Sequence, residues 1–94
     1  MKTILASLLL TLTINKAHAC QAEAQVLGVV SKVTFNQNNC RVFLKTSYYQ
    51  SSNFCHLSIG QIDSQGITFN GECPKIGEEI SGVVYEYNNN LYLK

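Results

Sequence analysis

The sequence predicts a small all-β domain, a five- to six-stranded barrel crosslinked by two disulfides, that follows a cleaved signal peptide. Three observations predict this fold class. The first 19 of the 94 residues have the organisation of a secretory leader, and all four cysteines follow them. The rest of the chain alternates between runs rich in β-branched and aromatic residues and polar turn clusters, without a helical pattern.

The N-terminal segment has the three parts of a signal peptide. Lys2 supplies the positive charge, residues 4–14 form an apolar run, and Ala17-His18-Ala19 fits the cleavage pattern. The run is too short to span a bilayer, which takes about 20 residues. Two alternatives are a buried amphipathic helix and a lipoprotein leader that acylates Cys20, although Ala17 stands where a lipoprotein usually has leucine. We therefore expect a secreted or periplasmic protein, of bacterial type, with residues 20–94 as its single domain.

The charge of residues 20–94 argues against nucleic acid as a partner. Two of the seven basic residues, Lys2 and Lys16, lie in the leader, which leaves five against six acidic residues. A surface that binds phosphates needs a clear basic excess. After the leader, no apolar segment is long enough to span a membrane.

The four cysteines, Cys20, Cys40, Cys55 and Cys73, form an even set in a short exported chain, which indicates a disulfide framework. The alternative is a structural zinc site. Zinc ligands usually come as cysteine pairs two to four residues apart, whereas the nearest spacing here is 15. No metal or cofactor motif is present, so we expect neither.

Strand patterns cover most of the domain and are separated by polar clusters such as Asn36–Asn39. The clearest hairpin joins residues 26–35 to residues 40–49, and Gly28 and Gly82 are expected where the sheet bends sharply. A barrel is favoured because an open sheet would leave one face without a helix to cover it. The predicted strands are 26–35, 40–49, 54–62, 66–69, 76–87 and 91–93.

Two segments resemble parts of an OB-fold, a small Greek-key barrel. The C-terminal stretch IGEEISGVVYEYNNNLYLK resembles the last two OB strands, and VLGVVSKV resembles the first strand with its central glycine. The resemblance implies a barrel whose late strand pairs antiparallel with the first. OB-folds bind oligonucleotides, oligosaccharides or proteins, and the fold does not select among them.

The resemblance also implies a disulfide pairing. If the late strand lies beside the first, its start brings Cys73 towards Cys40 at the turn end of the hairpin. Cys20 precedes the first strand and lies towards Cys55 at the opposite end. The expected pairs are therefore Cys20–Cys55 and Cys40–Cys73, since a disulfide needs Cα atoms about 4.4–6.8 Å apart.

No catalytic motif stands out. His56 is the one histidine after the leader, and Ser58 and Asp63 complete a nominal triad without a nucleophile-elbow pattern. Glu78 and Glu79 are adjacent, so on a strand their carboxylates point to opposite faces. We therefore expect no catalytic residues, with a small hydrolase using His56 as an alternative.

The most promising partner surface combines basic and aromatic residues. Alternation places Arg41, Lys45 and Tyr49 on one side of the second strand, where they would bind a protein or an oligosaccharide. A structural subunit of an envelope assembly is a further alternative, and the oligomeric state is left open. The aromatic residues of the second half either complete the core or line a binding surface: Tyr48, Tyr49, Phe54, Tyr85, Tyr87 and Tyr92.

Overall fold

The computed structural model describes residues 20–94, so the predicted signal peptide lies outside the described residues. Within that range no helix is long and apolar enough to cross a membrane. The elements in chain order are β1 (Glu23–Phe35), β2 (Cys40–Ser51), α1 (Ile59–Gln65), β3 (Ile67–Phe69), β4 (Glu79–Tyr87) and β5 (Asn90–Leu93).

The five strands form one antiparallel sheet in the order β3-β2-β1-β4-β5. The pairing of β4 with β1 is the one that the OB resemblance implies. The sheet curls so that its edge strands β3 and β5 approach each other, but among the described residues no ladder joins them. The prediction of a β domain with two disulfides is thus confirmed as an antiparallel sheet. The predicted barrel is not confirmed, because the sheet is not closed.

The inner face of the curled sheet carries the core. Leu57 and Ile62, from the segment around α1, pack against it and bury at least 98% of their surface. Apolar side chains that leave water in this way are the main stabilising term of such a fold. The buried set comprises Ala24, Val26, Val30, Cys40, Val42, Leu44, Leu57, Ile62, Ile67, Ile80, Val84 and Leu91.

Two disulfides tie the ends of the sheet to the loops that follow β2 and β3. Cys20 is bonded to Cys55 with 5.8 Å between their Cα atoms, and Cys40 to Cys73 with 6.3 Å. These are the pairs expected from the strand order. Cys40 is completely buried, so the second disulfide belongs to the core as well as to the chain's crosslinks.

The predicted strand over residues 54–62 is wrong. This segment forms a single bridge, between His56 and Glu23, and then enters α1. Ser58 begins the helix because its hydroxyl accepts a hydrogen bond from the Gln61 amide at 3.1 Å. The Ser-x-x-Gln spacing is a capping-box pattern, and Ile59 and Ile62 have the spacing of one helix face.

The late strand begins at Glu79 rather than at Ile76, three residues after its predicted start. A turn occupies the intervening residues: the Glu78 amide donates to the Lys75 carbonyl, and the Lys75 amide donates to the Glu78 carboxylate, both at 3.0 Å. The turn keeps two backbone hydrogen bonds to β1, from the Gly77 amide to the Val30 carbonyl and from the Val30 amide to the Glu78 carbonyl, and regular pairing begins at Glu79.

The β1–β2 hairpin contains two β-bulges, one in each strand. Leu27 pairs with Tyr48 but Gly28 pairs with Thr46, which leaves Ser47 unpaired. Further along, Ser31 is unpaired in β1. Each of these serines donates its hydroxyl to a carbonyl of the opposite strand, at 3.2 Å for Ser47 and 3.1 Å for Ser31. An extra residue reverses the alternation of side chains beyond it.

Candidate functional site

Arg41, Lys45 and Tyr49 do not share one face of β2. Lys45 is exposed and lies opposite Val29, on the outer face of the sheet. Beyond the Ser47 bulge the alternation is reversed, so Tyr49 lies opposite buried Val26. Its ring packs against the core. The bulge turns Tyr49 away from the outer face that Arg41 and Lys45 share, although Lys45 and Tyr49 still line one shallow depression.

The tyrosine hydroxyl confirms this inward position. Tyr49 donates to the Leu57 carbonyl and so fixes the segment after β2 against the strand. Arg41 stays on the outer side with Lys45, and Lys32 of β1 lies over the Phe43 ring at 5.2 Å. Together the three basic side chains make a strip on the β1–β2 hairpin.

The residues of the nominal triad are close in sequence, but among the described residues no hydrogen bond joins their side chains. His56 is exposed, and Asp63 is exposed on α1. The Ser58 hydroxyl caps the helix. Within residues 20–94 no hydrogen bond joins His56 to either of the other two side chains, so the geometry provides no base next to a nucleophile.

Three tyrosines instead come together on the outer face of the β4–β5 hairpin. Tyr85 lies opposite Tyr92, and their ring centroids are 5.7 Å apart with the planes inclined at 34°. Tyr87 lies two residues beyond Tyr85 and therefore on the same face. With Asn70, which follows β3, these rings line an open depression of about 490 Å³, hereafter the tyrosine groove.

The hairpin that carries the tyrosine groove has a tight turn. Its two central residues, Asn88 and Asn89, have φ of 50° and 66°. Positive φ at both positions is what a type I′ turn requires, and asparagine tolerates it well. A two-residue connection sets the register that places Tyr92 beside Tyr85.

Helix α1 holds the hairpin from the other side. The side-chain amide of Gln61 donates to the Glu86 carboxylate at 3.2 Å, and the side-chain amide of Gln65 donates to the Asn89 carbonyl. These bonds connect the hairpin's turn and strand to an element that packs in the core. The tyrosine groove is therefore built on a supported hairpin and not on a free loop.

Charged groups lie at the end of the tyrosine groove and not within it. Lys94 forms an ion pair with Glu23 at 2.9 Å, and its ammonium lies 5.3 Å from the centre of the Tyr85 ring. In the ladder Lys94 pairs with Val83, so it lies on the opposite side of Tyr85 from Tyr87. The lining side chains themselves are uncharged.

The aromatic residues noted in the sequence are thus divided among several environments. Tyr49 packs on the core, Tyr48 is exposed on β2, and Phe54 is 93% exposed in the loop after it. Alternation already places Tyr85 and Tyr87 on one face. The Asn-rich turn was the signal that could have added Tyr92 to them.

Within residues 20–94 there is no cluster of three or more side chains suited to holding a metal ion. The side chains that line the tyrosine groove offer aromatic rings, phenol hydroxyls and one carboxamide. No protein-family model, no curated protein and no solved structure matches this chain.

Proposed function

We propose that the protein is an exported, non-enzymatic binding module that docks a protein or glycan partner on the outer face of its sheet. The observation that carries this proposal is the tyrosine groove. Three tyrosine rings lie side by side there, and Tyr87 leaves 58% of its surface exposed. Tyrosine offers a large apolar face with a polar tip and few rotatable bonds, which is why it is enriched in binding surfaces.

Folding alone does not account for this arrangement. Tyr87 stands at the end of β4, is exposed and does not belong to the core cluster, so folding does not require a large aromatic side chain there. The hairpin is held by α1 through Gln61 and Gln65, so its rings are presented at low entropic cost.

Export and the OB-like barrel are part of the same proposal. Two disulfides in a domain of 75 residues fit an oxidising compartment, and a core of this size benefits from crosslinks. The approach of β3 to β5 supports an OB-like architecture. The hydrolase alternative has weaker support, because His56 has no hydrogen bond to Ser58 or Asp63. No observation favours the envelope subunit.

A binding assay on the envelope fraction of the source organism tests the proposal. Labelled oxidised protein should bind saturably, and Tyr87→Ala should raise the half-saturating concentration at least tenfold. Tyr48→Ala is the matched control, since Tyr48 is a similarly exposed tyrosine on β2. Absence of saturable binding would contradict the function, and equal binding by both variants would contradict the tyrosine groove.

Arg41 and Lys45 remain a predicted contact region for the partner, on the β1–β2 hairpin. The double variant Arg41→Ala/Lys45→Ala, without any change at Tyr49, examines this region because both side chains lie on the outer side of β2. A fall in binding with an unchanged unfolding midpoint would extend the partner's footprint across the sheet. Unchanged binding would confine that footprint to the tyrosine groove.

A further inference from the structure

We infer that the tyrosine groove binds a neutral oligosaccharide, with sugar rings stacked on Tyr85, Tyr87 and Tyr92. The inference rests on the proposed function and deepens it, because it chooses one ligand class for the same site. It follows from three properties of the described residues: the charge of the lining, its free polar atoms and its size.

The charge of the site selects a neutral ligand. All four lining side chains are uncharged. The nearest cation, Lys94, lies beyond the lining residues and is paired with Glu23 at 2.9 Å. Glu86 lies in the same hairpin, but its carboxylate accepts a hydrogen bond from Gln61 on the helix side. The four lining residues therefore offer neither a cation to an acidic sugar or a phosphate nor an anion to a cationic ligand.

The polar side-chain atoms of the tyrosine groove have no hydrogen-bond partner within residues 20–94. Among residues 20–94 no hydrogen bond involves the hydroxyls of Tyr85, Tyr87 or Tyr92 or the side-chain amide of Asn70. Each phenol can donate and accept, and the carboxamide adds two donors and an acceptor. A pyranose has the complementary surface, with an apolar face of C–H groups for the rings and a rim of hydroxyls for the polar tips.

The size of the site favours a small ligand over a protein. Binding sites for small molecules occupy about 300–1,000 Å³ and combine aromatic walls with a few polar groups. The tyrosine groove likewise combines aromatic walls with a few polar groups, on an open surface lined by four residues. A stable protein interface takes about 20–30 residues a side, so a protein would have to extend well beyond these four residues.

The test uses defined saccharides and NMR of the oxidised protein. The probes are neutral tetrasaccharides of glucose, galactose, mannose and N-acetylglucosamine, with a uronic-acid oligosaccharide and a sialylated one as charged comparisons. At least one neutral probe should shift the tyrosine ring resonances saturably. Tyr87→Ala should raise its Kd at least tenfold, Tyr87→Phe about two- to fivefold, and Tyr48→Ala less than twofold.

The outcomes separate this inference from the proposed function. Tighter binding of a charged probe than of every neutral one would overturn the neutral class. If no saccharide binds but an envelope protein binds in a Tyr87-dependent manner, the ligand class is wrong and the binding module stands. If neither binds, both fall. Because Tyr87 is exposed, its variants should keep the wild-type unfolding midpoint, which the same samples verify by circular dichroism.

Discussion

The two disulfides enclose almost equal lengths of chain, so removing them one at a time separates loop closure from local packing. The sequence separations are 35 for Cys20–Cys55 and 33 for Cys40–Cys73. In the chain-entropy model these loops contribute about 3.8 and about 3.7 kcal/mol at 25 °C. The loop-closure contributions therefore cancel when the two variants are compared, and any difference between their free energies of unfolding comes from the folded state.

The folded-state surroundings of the two disulfides differ. Cys40 is completely buried within the core, whereas Cys20 is exposed. Substituting Cys40 by alanine removes a buried sulfur and leaves a small cavity, which costs about 1 kcal/mol. We expect Cys40→Ala/Cys73→Ala to cost about 5 kcal/mol and Cys20→Ala/Cys55→Ala about 4 kcal/mol. Since small domains are stable by about 5–15 kcal/mol, the first variant should be close to unfolding.

Equilibrium unfolding in urea, followed by circular dichroism at 25 °C, measures both costs against the oxidised wild type. Non-reducing peptide mapping of the wild type first verifies the pairing. A peptide that links Cys40 to Cys55 would contradict the topology. Equal costs, or a larger cost for the Cys20–Cys55 pair, would refute the packing argument. Costs below about 1 kcal/mol for both variants would refute the loop-closure argument.

Three further predictions concern the hairpin, the core and the leader. Gly28→Ala should destabilise the domain by about 1–3 kcal/mol, because a Cβ there would meet the Lys45 carbonyl oxygen at 2.8 Å. Its control is Gly60→Ala, in the helix with open space around it, which should stabilise the domain by about 0.5–1 kcal/mol in the same urea titrations. Tyr49→Phe should lower the free energy of unfolding by about 1 kcal/mol through loss of the hydrogen bond to Leu57, and Tyr48→Phe should lower it by less than about 0.5 kcal/mol. Equal values for the two variants would contradict the inward position of Tyr49. Mass spectrometry of the exported protein should show an N-terminal Cys20 without lipid, and a chain starting at Met1 or carrying a diacylglyceryl mass would contradict the signal-peptide prediction.

The sequence predicts the sheet well where the pattern is local. The hairpin runs and their polar turn at Asn36–Asn39 lie close to the observed β1 and β2, and the short strands β3 and β5 are where turn residues bound them. The prediction differs from the structure over residues 54–62 because the apolar residues of a short helix also fit a strand. The capping residue Ser58 is the local signal that favours the helix.

The predicted face of Arg41, Lys45 and Tyr49 differs from the structure for another reason. Arg41, Lys45 and Tyr49 are separated by even intervals, which is a sound basis for one face only in an unbroken strand. Ser47 adds one residue to that interval and turns Tyr49 into the core. A bulge depends on pairing with the opposite strand, so β2 alone carries too little information to locate it. The tyrosine groove likewise depends on the register between β4 and β5.

The paired bulges also have a consequence for changes in chain length. Ser47 lengthens β2 by one residue and Ser31 lengthens β1 by one, so the original register is restored before the turn. Deleting either serine leaves every other pair of the ladder in place, whereas deleting an adjacent residue such as Lys45 moves side chains between core and solvent. These two positions are therefore where we expect insertions and deletions to be tolerated in the hairpin.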